Sequence, residues 1–420
     1  MFRGRTSIYL YLFCSIFIFI VFILFYVIIL TNNLISIYLI FMRIGIDCRT
    51  ILNPEKDDLV GITHYTYQLV KHLIHLKDRN EYILFFDKEI AGKNIAKFSK
   101  PWVKIKYFPF LQYKKFLPVA YSHFLISAFL KRENLDILHS PTPYLPVSYN
   151  APSVVTVHDL TIYKFPQLFP PGQFLNVKII IPNALKTAKK IIAVSQSIKQ
   201  DLEKIFKIPE NKIEVIYNGI NKELFNESPK LEIEKIKKQY HIKENYILFL
   251  GTLEPRKNIE TLIEAYELFQ KNSIIKYQLV IAGKEGWMAE KIHKKAAHSP
   301  YKNEIIFTGY INPENLNALF SEAKVFVFPS LHEGFGMPVI EAMAKKIPVI
   351  TSNIESLPEI TADSAILINP KKKEEICKAL ELILNNEKLK IELIKKGFER
   401  AKEFCWEKCA TKTLGIYKKI

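Results

Sequence analysis

Two hydrophobic periodicities alternate along the chain from residue 42 onward. Short apolar, β-branched runs are separated by longer stretches in which apolar residues recur every three or four positions, as at Ile62, Tyr65, Leu69 and Leu73. The short runs are typical of buried strands, and the longer stretches predict amphipathic helices. Strands that alternate with helices predict parallel sheets, which bind ligands outside the carboxyl ends of their strands.

The predicted strands form two sets, separated by the turn dipeptide Asn218-Gly219. The first set comprises Arg43–Asp47, Tyr82–Phe86, Val103–Tyr107, Ile137–His139, Val154–His158, Ile191–Val194 and Ile213–Ile216, and the second comprises Tyr246–Leu250, Gln278–Ile281, Ile305–Thr308, Val325–Phe328 and Pro348–Thr351. The intervening helices are predicted at Ile62–Leu76, Phe174–Ala188, Ser197–Phe206, Lys230–Gln239, Ile259–Phe269, Trp287–Ala296, Glu314–Glu322, Val339–Lys345 and Glu374–Leu384. The sequence therefore predicts an α/β protein with two facing Rossmann-like domains, 42–225 and 226–400, and a cleft between them.

The first 41 residues have a different pattern. Ile8 to Leu30 is an apolar run interrupted only by Cys14 and Ser15, and at ~1.5 Å per residue it is long enough to span a bilayer core of ~30 Å. Two interpretations stay open. The run is a membrane segment that enters and returns, or Met42 is the true start and the preceding residues are translated upstream sequence.

The charge balance restricts the possible partners. The chain has 59 Lys and Arg against 42 Asp and Glu, a net charge of +17, which favours a polyanionic partner or reflects a solubilising lysine surface. The basic residues are dispersed and no nucleic-acid reading motif is visible, so nucleic acid is not an expected partner. The five cysteines suggest neither a disulfide framework nor a metal site.

Candidate chemistry is concentrated in the second half. The strand Val325–Phe328 leads through a glycine-containing loop into a predicted helix with Pro338 in its first turn. The backbone amides of residues 334–337 would lie near the positive end of that helix, which suits a diphosphate. Glu333 and Glu341 are either two cleft carboxylates or two surface glutamates.

A second segment, Gly251-Thr-Leu-Glu-Pro-Arg-Lys-Asn258, follows another predicted strand. Arg256 offers a bidentate donor and Lys257 a point charge, a combination that suits a diphosphate leaving group. On its own, the pair could equally be a solvated basic loop.

These motifs resemble those of a known family. The run Pro-Ser-x-x-Glu333-Gly-Phe-Gly-Met-Pro-x-x-Glu341-Ala-Met-Ala resembles the signature of the retaining glycosyltransferases of family 4, which have the GT-B fold. The resemblance implies that Glu333 contacts the donor sugar, that Glu341 contacts the donor ribose, and that Arg256 and Lys257 contact the pyrophosphate. It also places the adjoining loop residues around the donor: Gly334, Phe335, Gly336 and Met337. Many members carry an arginine where this chain has Thr252, and the run around Thr252 is closest to bacterial mannosyltransferase-like members.

The resemblance extends to the first half. It implies that Gly61, which could equally be an ordinary turn glycine, belongs to a glycine loop beside the phosphates. It also implies that His158, at a strand end, contacts the sugar near the reacting carbon, although a lone histidine there is more often structural. Ser195 is implied to lie in the donor site, or it caps the next helix. The run that begins at Phe404 resembles the family's final helix, so residues 401–420 are expected to cross back to the first domain.

The resemblance implies a hexosyltransferase, with mannose as the leading sugar and GDP-mannose as the leading donor, that needs no metal or other cofactor. The expected acceptor is a glycan or lipid-linked molecule in cell-surface polysaccharide synthesis, at the inner face of the cytoplasmic membrane. The basic and aromatic stretch from Lys104 through Phe116 could contact an anionic membrane or a lipid-linked pyrophosphate, or be a basic loop. Alternatives are a nucleotide-sugar epimerase or a phosphorylase of the same architecture, and a sugar-binding protein that has lost catalysis.

Overall fold

The computed structural model describes residues 42–51, 61–87, 95–109, 121–169 and 175–420. The hydrophobic leader, residue 60 of the predicted glycine loop and residues 110–116 of the basic and aromatic stretch lie outside these ranges. Within them, no helix combines the length and the apolar character that a bilayer crossing requires.

The first sheet has seven parallel strands among the described residues, in the order β3-β2-β1-β4-β5-β6-β7. They are β1 Arg43–Asp47, β2 Glu81–Phe86, β3 Val103–Tyr107, β4 Ile137–Ser140, β5 Ser153–Val157, β6 Lys190–Ala193 and β7 Ile213–Val215. The helices of this half are α1 Gly61–Leu73, α2 Ile126–Arg132, α3 Thr161–Lys164, α4 Ile181–Thr187 and α5 Gln196–Phe206. All residues of β4 and β5 are buried, because helices cover both faces of a parallel sheet.

The second sheet has six parallel strands in the described part of the chain, ordered β10-β9-β8-β11-β12-β13. They are β8 Tyr246–Leu250, β9 Gln278–Ala282, β10 Ile305–Gly309, β11 Val325–Phe328, β12 Val349–Ser352 and β13 Ala365–Ile368. Its helices are α6 Lys230–Tyr240, α7 Ile259–Asn272, α8 Ala289–Ala297, α9 Pro313–Ser321, α10 Met337–Ala344, α11 Ser356–Thr361, α12 Lys373–Asn385 and α13 Glu387–Ala401. The two sheets confirm the predicted tandem α/β architecture.

The predicted helix Phe174–Ala188 is helical from residue 175 to residue 187, but its first part has a π-helical hydrogen-bond pattern. The described chain there forms a π-helical turn, Asn176–Ile180, which continues as α4. Pro182 lies in the first turn of α4, and because proline has no amide hydrogen it cannot make the hydrogen bond that would join the two pieces regularly.

The last helix, α14 Trp406–Tyr417, packs against α1 of the first half. Its buried face shares one hydrophobic core with β1, β2 and α1, through Trp406, Leu414 and Tyr417. The chain returns at Gly219, where a Cβ atom would lie 2.2 Å from the backbone nitrogen of Trp406. Only glycine therefore fits at that approach.

The carboxyl ends of the two sheets face each other. Ser195, after β6, donates a hydrogen bond of 2.7 Å to the carbonyl oxygen of Gly334, after β11. A Cβ atom on Gly334 would lie 1.7 Å from the carbonyl oxygen of His158, after β5. The loops that carry the predicted site residues thus meet in the space between the sheets.

Candidate active site

The loop after β11 has the strand, turn and helix that its sequence predicts. All four residues of β11 are buried, and α10 begins at Met337 with Pro338 in its first turn. Gly336 has a φ of 95°, a left-handed conformation that glycine adopts without strain. Glu333 is a buried residue of this loop and Glu341 is a partly exposed residue of α10.

Two cations surround the carboxylate of Glu333. The Lys257 ammonium forms an ion pair with Oε1 of Glu333, and Nη1 of Arg256 lies 3.2 Å from Oε2. The hydroxyl of Ser330 donates a further hydrogen bond of 2.9 Å to Oε1. The structure therefore brings together four residues from two distant segments of the sequence, Arg256 and Lys257 from one and Ser330 and Glu333 from the other.

The electrostatics of this cluster follow from its burial. Burial alone would raise the pKa of Glu333, but the charges of Lys257 and Arg256, with the hydrogen bonds from Lys257 and Ser330, outweigh it and lower that pKa. The pKa of Lys257 is lowered by burial and by the neighbouring charge of Arg256, against the attraction of Glu333. Ionised Lys257, Arg256 and Glu333 together have one excess positive charge, which is offset in part by the carboxylate of Glu254, 2.7 Å from Nη2 of Arg256.

Arg256 also extends toward the first domain. Its Nε donates a hydrogen bond of 3.0 Å to Oε1 of Glu254, and Nη1 donates one of 3.1 Å to the carbonyl oxygen of His332. The same Nη1 lies 3.7 Å from Oδ2 of Asp159. Asp159 and Glu254 were not predicted as site residues, although each lies within two positions of a residue that was.

Glu341 has a contrasting environment. Among the described residues its carboxylate has no hydrogen-bond or ion-pair partner, and burial raises its pKa to about 7. A carboxylate on the first turns of α10, beside the loop after β11, is able to accept hydrogen bonds from hydroxyl groups of a ligand.

His158 lies at the end of β5 with its ring orientation defined. Nε2 is 2.9 Å from the carbonyl oxygen of Pro141, and because a carbonyl only accepts, Nε2 must carry the hydrogen. Burial lowers the pKa of His158 to about 4, so the ring is neutral at pH 7 and Nδ1 is an acceptor. The ring of Tyr65 packs edge-on against it, with the centroids 4.5 Å apart.

Three other residues that were predicted to lie in the donor site, Ser195, Phe335 and Gly61, have structural roles in the described chain. Ser195 is fully buried and its hydroxyl accepts from the amide of Ile198, so it caps α5 as well as binding Gly334. Phe335 packs between the rings of Tyr217 and Phe404, and Gly61 begins α1 with a φ of 61°. Direct donor contacts by Ser195, Phe335 and Gly61, like those of all the other predicted site residues, stay predictions.

Sequence reasoning missed the polar groups that join the domains beside this site. Lys164 Nζ lies 2.5 Å from Asp201 Oδ2 in its own half and 2.8 Å from Glu355 Oε1 in the other half, and Glu355 also pairs with His332. Glu359 accepts hydrogen bonds from the amide of Gln196, at 2.9 Å. No local motif marks these pairs, because each joins residues that are far apart in sequence.

Two further site predictions concern metals and the basic stretch. Among the described residues, no group of three or more His, Cys, Asp and Glu could hold a metal ion. Lys104 and Lys106 lie on the edge strand β3, where they form ion pairs with Glu81 and Glu133. These two lysines are therefore already partly neutralised by carboxylates.

Comparison with known proteins assigns both halves of the chain. The family described as Glycosyltransferase Family 4 matches residues 60–224, and the family described as Glycosyl transferases group 1 matches residues 232–400. The chain is 30% identical to the O-antigen chain mannosyltransferase B of Escherichia coli over 372 residues, which cover 87% of this chain and 97% of that protein.

Solved structures show the same fold. Sucrose-phosphate synthase from Thermosynechococcus elongatus superposes with a TM-score of 0.70 at 21% identity, covering 90% of this chain and 98% of that one. Anabaena HepE, in complex with UDP and glucose, superposes with a TM-score of 0.70 at 17% identity, covering 90% and 100%. The predicted family, fold and enzyme class are confirmed. The chain belongs to the family 4 glycosyltransferases with the GT-B fold, and it is a glycosyltransferase.

Proposed function

We propose that this protein is a retaining mannosyltransferase that uses GDP-mannose as donor. Its acceptor is a glycan or lipid-linked molecule in cell-surface polysaccharide synthesis. The proposal depends above all on one observation, the buried cluster in which Lys257 and Arg256 surround the carboxylate of Glu333. The sugar is proposed from the relative in Escherichia coli, whose name is that of a mannosyltransferase, and the nucleotide diphosphate from the UDP-bound Anabaena structure.

The cluster suits a departing diphosphate. Lys257 is buried and Arg256 is held by Glu254 and by the carbonyl of His332, so both cations are oriented before a ligand arrives. Preorganised charges of this kind stabilise a transition state without the cost of reorienting solvent. The amides at the start of α10 add partial positive charge on the same side.

The carboxylate of Glu333 has a second role in this proposal. When a diphosphate competes for the two cations, Glu333 is released in part and can accept hydrogen bonds from donor-sugar hydroxyls. Neutral His158 offers Nδ1 as another acceptor from the first domain. Glu341 then accepts from the ribose hydroxyls.

Retention is proposed to proceed without a covalent sugar–enzyme intermediate. The bond from the anomeric carbon to the acceptor oxygen forms on the face from which the bond to the diphosphate oxygen breaks. The acceptor proton passes to the departing phosphate oxygen, and no metal or other cofactor takes part. The enzyme contributes the positive charge of Arg256 and Lys257, which favours the leaving group.

The acceptor is proposed to bind to the first domain, at the inner face of the cytoplasmic membrane. The surface of that domain exposes several apolar side chains: Phe124, Leu125, Val147, Leu175 and Ile179. Exposed Lys131 and Lys178 lie on the same segments. Exposed apolar groups with lysines nearby suit the surface of an anionic bilayer. Co-sedimentation with phosphatidylglycerol vesicles tests this part, and a protein that stays in the supernatant contradicts it.

The decisive experiment measures nucleotide diphosphate release from a panel of nucleotide sugars, with and without membrane extracts as acceptor source. We expect GDP release from GDP-mannose with transfer of labelled mannose to the acceptor. An epimerase would instead convert the sugar without releasing GDP, a phosphorylase would consume orthophosphate, and an inactive binding protein would bind without turnover.

The variant Arg256→Gln/Lys257→Met tests the cluster. Removal of a single oriented donor costs roughly 10²–10³-fold in kcat, so we expect the double variant to lose at least that much while the fold is kept. The control is Lys418→Met/Lys419→Met, which removes the same charge from exposed positions. Near-normal turnover in the cluster variant would overturn the assignment.

A further inference from the structure

A buried chain of hydrogen bonds, completed by one aromatic contact, leads from the last helix to His158. The hydroxyl of Tyr417, in α14, lies 2.6 Å from Nδ1 of His139, and Nε2 of His139 lies 2.9 Å from the hydroxyl of Thr156. The hydroxyl of Tyr65, in α1, lies 3.2 Å from the same Thr156 oxygen. The ring of Tyr65 then packs against the ring of His158, with centroids 4.5 Å apart.

The strand geometry explains why these groups meet. Alternate residues of a strand point to the same face, so Thr156 and His158 lie on one face of β5 and its extension. His139 on β4 and Pro141 beyond it follow the same alternation, and Pro141 is the residue whose carbonyl holds Nε2 of His158. The neighbouring strands β4 and β5 are therefore joined by two contacts on this face. His139 contacts Thr156 below the site, and the carbonyl of Pro141 contacts His158 in the site.

The chain of contacts lies in an apolar environment. Tyr65, His139, Thr156 and Tyr417 are all buried, with exposures of 2% or less, within the core that α1, α14 and the first sheet share. Polar groups there are stable only when each has its partner, and loss of one partner leaves another unsatisfied. Burial lowers the pKa of His139 to about 3, so the contacts are made between neutral groups.

We propose that Tyr417 and His139 are positioning residues for His158. Through Thr156 they fix the hydroxyl of Tyr65, and Tyr65 in turn holds the ring of His158 in the orientation that keeps Nε2 on Pro141 and leaves Nδ1 for the donor sugar. The inference rests on the proposed function, in which His158 contacts the donor. It gives the return of the last helix to the first domain a role in catalysis as well as in stability.

The first test is Tyr417→Phe, which removes one oxygen atom and keeps the ring. A small misplacement of a catalytic group can lower turnover by up to about 10²-fold, and we expect kcat to fall about tenfold or more while the KM for the donor changes less than threefold. The matched control is Tyr246→Phe in the second domain. Tyr246 is equally buried and its hydroxyl donates to the carbonyl of Leu319, at 2.6 Å. It should lose comparable stability and keep kcat.

A double-mutant comparison separates positioning from stability. If Tyr417 acts through His158, then Tyr417→Phe has little further effect on kcat in a His158→Ala background, because coupled residues are not additive. An equal fold decrease of kcat in both backgrounds would overturn the proposal.

Thr156→Val breaks the chain of contacts at its middle and should reproduce the effect of Tyr417→Phe on kcat. Thr156→Ser keeps the hydroxyl and should keep the wild-type kcat.

A spectroscopic readout keeps this inference separate from the proposed function. The imidazole ¹⁵N resonances of His158 are identified by their loss in His158→Ala. We expect them to shift in Tyr417→Phe and to stay in place in Tyr246→Phe, whether or not a nucleotide sugar is turned over. Unchanged His158 resonances in Tyr417→Phe would contradict the positioning role even in an active enzyme, whereas shifted resonances in a protein that turns over no nucleotide sugar would contradict only the proposed function.

Discussion

Glu333 and Glu341 have the same side chain and opposite surroundings. Two cations lower the pKa of Glu333 in spite of its burial, whereas burial without a cation raises the pKa of Glu341 to about 7. At neutral pH Glu333 is charged and Glu341 is divided between its two forms. One loop and the helix after it thus supply a fixed charge and a titrating group, as catalytic sites often do.

The titration of Glu341 predicts a pH dependence. The carboxylate form accepts two hydroxyl hydrogen bonds, so donor binding weakens as pH falls through about 7 and the group gains its proton. We expect kcat/KM for the donor to fall tenfold per pH unit below that value, because this parameter reports groups of the free enzyme. The variant Glu341→Gln should have a lower kcat/KM, and its kcat/KM should not fall as the pH decreases through 7.

The control for this measurement is Glu232→Gln, which changes an exposed glutamate of α6. It should keep the wild-type decrease of kcat/KM below pH 7. If Glu341→Gln also keeps this decrease, another group titrates there and Glu341 is not the one that limits donor binding.

At the scale of elements, the pattern of apolar and polar residues predicted most of the strands and helices. The bounds of β8 and β11 were predicted as observed because both are continuous apolar runs, and those of β1 and β3 because apolar and polar residues alternate in them. The strand β13 was missed although its four residues are apolar, because the run is short; at the sheet edge only Ile368 of this strand is buried. The helix α13 was missed because Leu393, Gly397 and Ala401 alone form its buried face.

The part of the candidate site that local sequence motifs mark was predicted. The strand-end loops placed Glu333, Arg256 and Lys257 near a common ligand, and the structure brings them together. The residues that contact these loops from other parts of the chain are not marked by any local sequence motif. Lys164 and Glu355 are 191 positions apart, and His139 and Tyr417 are 278 apart. Such pairs depend on how the domains and the last helix pack, which periodicity does not encode.

Gly334 connects the loop after β11 to the first domain. We therefore predict that its substitution disturbs the contact between the two. In Gly334→Ala the new Cβ would lie 1.7 Å from the carbonyl oxygen of His158. Because neither backbone can yield that far within its own domain, the loop and the first sheet must separate. A displacement of about 1 Å at a reacting centre can cost 10²-fold in rate, so we expect kcat/KM to fall by at least that factor.

The matched control is Gly415→Ala in α14. A Cβ atom at Gly415 would meet no atom within 4 Å, and alanine is favoured over glycine in a helix by roughly 1 kcal/mol. This variant should keep full activity and gain slightly in thermal stability. Full activity in Gly334→Ala would show that the close contact with His158 is not needed for turnover.

At the scale of the whole molecule, polar contacts near the cleft join the two domains. Lys164 pairs with Glu355, Ser195 binds Gly334, and Glu359 of α11 binds α5 and Tyr217. The carboxylate of Glu359 accepts from the first amides of α5, where the helix dipole favours negative charge. Polar interfaces of this kind usually permit relative motion of domains. The relative orientation of the domains should therefore depend on a few charged groups.

We predict that Lys164→Met/Glu359→Gln shifts the protein toward a more open arrangement, because it removes an ion pair and a helix-capping charge from between the domains and changes no residue of the hydrophobic core. The radius of gyration measured by small-angle X-ray scattering should rise, and kcat should fall more than the affinity for GDP, since the cluster of Lys257, Arg256 and Glu333 lies within the second domain. The control Lys199→Met/Glu210→Gln breaks an ion pair of 2.7 Å inside the first domain. It should leave the radius of gyration and kcat unchanged. An unchanged radius of gyration in the first variant would mean that apolar contacts, such as those of Phe335 with Tyr217, suffice to hold the domains together.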